Sequence, residues 1–315
     1  MNHFSLQTSE PKPSQSYKKE SQPSLEKLKK VMSRISQEVN AEVAKKYGVE
    51  QLVDDSLHID LTHFSRKKGG IYKKEDIDAD KKKVDELDLK YSDAEDEKVQ
   101  KFYKEKYKLN VNVGSPEIKK EILPIFRENK EANTASQAEM VITALLHKIL
   151  KERFLVVRSS VFDDYTNGID NFILDKETGA VICAFDEVIE NDGDKARGES
   201  GKAEKVKKIA MKGGTEAKYG VSLADGKLVR NAVQNIPVFY LTLESKDLSE
   251  LTNDLFYSKG DTRTEGEQKL FSHLVHSIKE QKGELEALNL PPVMKEKLQS
   301  FETSLTALVG FAERR

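Results

Sequence analysis

DDYTNGIDNFILDKETGAVICAFDEV, residues 163–188, holds two apolar runs, IDNFIL (169–174) and VICAFDEV (181–188), joined by DKETGA. Val, Ile and Phe suit a pleated, half-buried surface, and Asp175 with Gly179 supplies the chemistry of a short hairpin loop. The stretch therefore reads as two antiparallel strands. Buried strands seldom carry acids, so Asp170 at the head of the first run, and Asp186 and Glu187 late in the second, call for a role.

Register decides which of these acids meet, because opposed residues on paired strands share a face and a slip of one residue reverses it. If Asp175 pairs with Ala180, Asp170 stands opposite Phe185 and shares a face with Glu187. A loop one residue longer or shorter puts Asp170 on the face of Asp186 instead. Both registers stay open on the sequence, with Glu187 placed ahead of Asp186.

Outward from the hairpin, FLVVRSSVF (154–162) reads as a preceding strand, and SQAEMVITALLHKILKERF before it as a helix capped by Thr134 or Ser136, with Met140, Ala144, Leu145 and Ile149 on one side. Ser115-Pro116-Glu117 opens a shorter helix. Downstream, KAEKVKKIAMK (202–212) is a basic amphipathic helix ended by Gly213-Gly214, and NIPVFYLTLE (235–244) is a further strand. The order is helix, three strands, helix, strand, an α/β (α+β) arrangement.

Paired carboxylates on neighbouring strands are a ready source of oxygen ligands for a hard divalent cation such as Mg²⁺ or Mn²⁺, which commonly rests on one or two carboxylates plus water and phosphate. Asp170 with Glu187 or Asp186 forms the expected centre. Glu139 on the preceding helix, and Asp163 and Asp164 just before the Asn167-Gly168 turn, complete an acidic rim. Each has a plainer role beside this one. Asp170, Asp163 and Asp164 can close or cap a turn, Asp186 and Glu187 can be a strand end in solvent, and Glu139 can lie on a solvated helix face.

The helix, three antiparallel strands, helix and strand, with an acid on the first helix, Asp170 opening the second strand and an acid late in the third, resemble the PD-(D/E)XK nuclease superfamily, the restriction-endonuclease-like fold. The segment also resembles uncharacterised bacterial proteins sharing DDxxNGxD followed by ETGxVICAFDEV. The resemblance covers about 110 residues, from roughly 134 to 245. It implies an αβββαβ core and Mg²⁺- or Mn²⁺-dependent hydrolysis of phosphodiester bonds in DNA or RNA, with Asp170 as first acid and Asp186 or Glu187 as second. The superfamily's strand lysine is absent, since Val188 and Ile189 stand two residues beyond the two acids. Lys202 and Lys205 on the next helix are the expected substitutes, ahead of Lys208 and Arg158, and would steady the attacking water or the phosphate. The missing lysine also leaves a second expectation, an inactive core of this fold serving as a binding or scaffold module.

The rest of the chain frames these readings. Residues 1–23 are Ser/Pro/Gln/Lys-rich and read as a disordered tail without the apolar core of a signal peptide. From Ser24, Leu25, Leu28, Val31, Met32, Ile35, Val39 and Val43 follow a helix face that Gly48 stops. Residues 49–110 show Lys/Asp/Glu runs without a clean period and read as solvated helices and loops, partly disordered, so 24–114 forms a charged region ahead of a core at 115–245. Residues 246–315 read as a helical appendage, with Pro291-Pro292 at a helix start, and offer a surface for a protein partner.

Lys plus Arg (52) nearly cancel Asp plus Glu (54), and from 134 to 245 there are 15 of the first against 17 of the second, so no basic stripe marks a tight duplex binder. Cys183, the one cysteine, sits in an apolar run and reads as core, which fits a cytoplasmic setting. No apolar stretch is long enough to expect a membrane span. His58 and His63 bracket Asp60, and His273 and His276 are spaced i, i+3, but neither pair has the further ligands a zinc site needs.

Overall fold

A computed structural model of the chain describes residues 22–190, 195–258 and 262–313. Residues 1–21 of the expected tail, and 191–194 of the expected loop after the hairpin, lie outside the described residues. The elements in chain order are α1 (Gln22–Tyr47), α2 (Lys74–Tyr91), α3 (Glu97–Tyr107), α4 (Pro116–Glu131), α5 (Thr134–Leu150), β1 (Phe154–Arg158), α6 (Val161–Asn167), β2 (Asn171–Asp175), β3 (Val181–Glu190), α7 (Lys195–Met211), β4 (Thr215–Ala224), β5 (Lys227–Ile236), β6 (Val238–Glu244), α8 (Leu248–Tyr257), α9 (Glu265–Glu286) and α10 (Pro292–Glu313).

The central sheet runs β1-β2-β3-β6. Its first three strands are antiparallel, and β6 returns parallel to β3 after α7 and the β4-β5 hairpin. Phe154, Val156, Phe172, Leu174, Ala184, Phe185, Phe239 and Leu241 are buried along it. The α5 helix, with Met140, Val141, Ala144, Leu145 and Ile149 all buried, packs against this sheet. The β4-β5 hairpin, unread in the sequence, turns at Asp225-Gly226, both at positive φ (51° and 71°), as a two-residue primed turn requires.

The β2-β3 register combines both registers open on the sequence. At the turn, Asp175 N–H donates to Ala180 O (3.0 Å) and Leu174 faces Val181. A bulge between Ile173 and Leu174 then shifts the pairing by one, so Ile173 faces Cys183 and Asn171 faces Phe185. Glu187 and Asn171 therefore share the α5 face, and Asp186 turns the opposite way toward α7.

Three regions depart from the expected pattern. Residues 159–162 do not extend β1. Ser159 ends the strand and Ser160 caps α6, its hydroxyl oxygen accepting from Asp163 N–H at 3.0 Å. Residues 49–84 fold onto the core, where Leu52, Val53, Leu57, Ile59 and Phe64 are buried and Leu57 and Ile59 pair with Arg158 at the free edge of β1, while Ala94, Tyr103 and Leu109 pack with Ile118 and Ile122 of α4 in a second, smaller cluster. The C-terminal helices are not an appendage. Phe301 stacks on Phe239 (5.2 Å between centroids), Ser304 donates to Asp175 (3.0 Å), and the apolar faces of α8, α9 and α10 are covered within the same core. At the other edge of the sheet, the Gln281 amide of α9 accepts from Tyr240 N–H (3.0 Å) and donates to Tyr240 O (2.8 Å).

No helix among the described residues is long and apolar enough to cross a membrane.

Candidate functional site

Asp170 is fixed by both neighbouring strands. Its carbonyl accepts from Ser159 N–H (2.8 Å), and its N–H donates to Phe185 O (2.9 Å). That clamp presents its carboxylate to β3, where Oδ2 accepts from Glu187 N–H at 2.7 Å. Asp170 and Glu187 are also joined through their carboxyl groups. A relay orients the pair from α5: Thr143 Oγ1 donates to Asn171 Oδ1 (2.8 Å), and the Asn171 amide donates to Glu187 Oε1.

Glu139, one turn before Thr143 on α5, accepts from Arg158 at 2.8 Å. Burial raises the carboxyl of Glu139 to about 7, with the charges of Asp170 and Asp164 adding to it and Arg158 opposing. Burial likewise pushes Glu187 well above the usual carboxylate range, and Asp170 reinforces the rise. Asp170 itself is raised by burial, partly held down by its hydrogen bonds to Glu187. Glu187 Oε2 is sealed from solvent and has no hydrogen-bond partner among the described residues. Carboxyls raised by burial and by neighbouring acids, with one oxygen lacking a donor, are what a bound cation would relieve.

Asp186 lies outside this cluster, because strand alternation points it to the other face. There it is buried and paired with both Lys202 and Lys205 (2.5 Å to the latter). The two lysines expected to stand in for the strand lysine thus close an ion-pair triad with Asp186. Lys205 also sits over the Gly168 carbonyl at 3.5 Å.

Asp163 does not belong to a metal rim. On the buried side of α6, Oδ2 accepts from the Ser160 hydroxyl (2.6 Å) and Tyr219 N–H (3.0 Å), and Oδ1 from Lys218 N–H (2.8 Å) and the Asn167 amide (2.7 Å). All its acceptor positions are taken, so it staples α6 to β4. The Ser160-x-x-Asp163 spacing is a capping-box signal that marks this helix start. Asp164, on the other side of α6, does approach the site and meets Lys130 at 3.4 Å.

Glu139, Asp164, Lys130 and Arg158 open onto a cleft of about 720 Å³ between α1, α2, the end of α4, α5 and α6, with His58 and Arg127 also on its wall. His58 Nδ1 lies 2.8 Å from Ser159 O. Three of these groups, His58, Lys130 and Arg127, are not among the site residues the sequence offers. The sequence offers His58 only within an incomplete zinc pattern, and it comes to the cleft through backbone pairing between residues 57–59 and Arg158, which no local pattern announces.

Among the described residues, no three His, Cys, Asp or Glu side chains stand in a geometry ready to hold a metal ion. The arrangement present is an acid pair, Asp170 and Glu187, with Glu139 turned to Arg158. The donor chemistry fits a hard divalent cation, which commonly takes one or two carboxylates and fills its other positions with water and phosphate.

No protein-family model, no curated protein and no solved structure matches the chain.

Proposed function

We propose that the chain is a metal-dependent phosphodiesterase acting on DNA or RNA, built on a PD-(D/E)XK-like core of α5, β1, β2, β3, α7 and β6. The observation that carries the reading is the meeting of Glu139, Asp170 and Glu187, drawn from three elements, in one undercompensated cluster beside a cleft. The sheet order and the parallel return of β6 support the same fold.

Asp170 and Glu187 would hold Mg²⁺ or Mn²⁺, with Glu139 reaching it through water. The ion would supply charge neutralisation at the phosphate and a more acidic water. Asn171 and Thr143 orient Glu187, and mutation of such supporting groups typically costs about 10–100-fold. Arg158 and Lys130 offer positive charge to a phosphate entering the cleft.

The second reading, an inactive core of this fold that binds a partner, has its own observation. Ile189, where a lysine would follow Glu187, packs against the core, and Lys202 and Lys205 are engaged by Asp186.

The test is cleavage of plasmid, circular single-stranded DNA and RNA with Mg²⁺ or Mn²⁺, beside Asp170→Asn and Glu187→Gln. The nuclease reading expects cleavage by the native chain and a loss of at least about 100-fold in each variant. Absence of cleavage on every substrate favours the binding module.

A further inference from the structure

Hydrolysis of a phosphodiester needs a group that takes a proton from the attacking water, and in this cluster the carboxyls are poor choices. A cation held by Asp170 and Glu187 would occupy their oxygens, and Glu139 is engaged by Arg158 at 2.8 Å. Lys202 and Lys205 are committed to Asp186 on the other face. The cleft holds one further titratable group of the right kind.

His58 lines the cleft together with Arg158, Lys130, Glu139 and Asp164. Its Nδ1 is 2.8 Å from the Ser159 carbonyl, an acceptor only, so Nδ1 carries the proton and Nε2 the lone pair. The ring is held at both ends of its backbone: His58 N–H donates to Asp54 Oδ1 (2.9 Å), and the segment pairs with β1 through Leu57 and Ile59. Ser159, which orients the imidazole, also binds the Asp170 carbonyl through its N–H (2.8 Å). One residue of backbone therefore positions both the first acid of the cluster and the histidine.

Resting on the nuclease reading above, we propose that His58, the imidazole on the wall of the cleft that Glu139 and Arg158 also line, is the general base of this site, with Nε2 as the accepting atom. The water oxygen forms the new bond to phosphorus and its proton passes to Nε2. The bond from phosphorus to the leaving sugar oxygen breaks, and that oxygen takes its proton from solvent. Arg158 and Lys130, the cations whose fields reach His58, are the same groups that would hold the phosphate against it.

The electrostatics agree with a neutral imidazole. Burial, then Arg158, then Lys130 hold His58 well below the ordinary histidine value, with the Ser159 carbonyl opposing. The charged groups on the cleft wall with it are Asp54 and Asp55 of its own segment, Lys29 of α1, Lys81, Asp85 and Asp88 of α2, Arg127, Lys130 and Glu131 of α4, Glu139 of α5, Arg158 of β1 and Asp164 of α6. At neutral pH the ring is ready to accept a proton without first losing one.

The experiment compares kcat, KM and Mn²⁺ affinity of the native chain, His58→Asn and His58→Ala on whichever nucleic acid the native chain cleaves, with imidazole added to each. Asn keeps an N–H for the Ser159 carbonyl and removes only the basic nitrogen. The expected result is a kcat at least about 100-fold lower in His58→Asn, as general-base loss typically gives, with KM and Mn²⁺ affinity unchanged and with added imidazole restoring His58→Ala. The native acid limb should follow the His58 titration observed by NMR. Cleavage by His58→Asn at the native rate, or folded variants that imidazole does not rescue, would overturn the base and leave the nuclease reading in place. A native chain that cleaves no substrate overturns both.

Discussion

Asp186 and Glu187 are consecutive on β3 and both buried, yet the two faces of the sheet treat them differently. On the α7 face, Asp186 meets two ammonium groups, and its charge is answered within the chain. On the α5 face, Glu187 meets another carboxyl and an amide, and among the described residues it has no cation partner and Oε2 has no hydrogen-bond donor. Evidence for a ligand lies less in acids being present than in acids being unanswered. Asp163 makes the same point from a third position, since four donors answer it fully.

The comparison can be broken most sharply at the answered acids. Asp163→Ala should cost about 3 kcal/mol or more, because it strands two buried N–H groups, a hydroxyl and an amide; denaturant unfolding measures it. A loss under about 1 kcal/mol would mean the staple is dispensable. Next in size, Mn²⁺ at 100 times its dissociation constant should stabilise the native chain by about 2.7 kcal/mol, and Glu187→Gln by much less, in a thermal melt. Equal stabilisation of both would place the ion elsewhere.

Smaller effects sharpen the contrast between the two faces. Asp186→Asn should destabilise by about 1 kcal/mol, since Lys202 and Lys205 are partly exposed (31% and 42%) and can return to water. Glu187→Gln should be neutral or stabilising at pH 8, because it removes a buried group that resists ionisation.

The pH dependence follows with a definite sign. Glu139, Asp170 and Glu187 bind protons more tightly folded than unfolded, so their contribution is present below the ordinary carboxylate value and is lost as pH rises, for Glu139 between 4.5 and about 7. The metal-free chain should melt higher at pH 5 than at pH 8 by this contribution, and Glu187→Gln should flatten the slope. A steeper slope in the variant would contradict it.

Much of this architecture was legible in the sequence, and the gaps have physical causes. The strands around Asp170 declared themselves through β-branched runs, and Pro292 marked the start of α10. The β2-β3 bulge was invisible, because a single inserted residue changes no local propensity, and it decides the faces of Asp186 and Glu187. Residues 161–162 read as strand because Val161 and Phe162 continue an apolar run, although Ser160 and Asp163 carry a helix-start spacing. The 225–226 Asp-Gly turn signalled a hairpin between runs too polar to read as buried strands. Leu52, Val53, Leu57, Ile59 and Phe64 were hidden among charges, since tertiary packing rather than period places them in the core.

The Gln281 side chain bound to both backbone groups of Tyr240 behaves as a borrowed peptide unit. It ends the ladder at β6 and ties the fate of that amide to a helix rather than to a neighbouring strand. Deuterium uptake at the Tyr240 amide should therefore time the lifting of α9 from the sheet, even while the β3-β6 pairing stays intact.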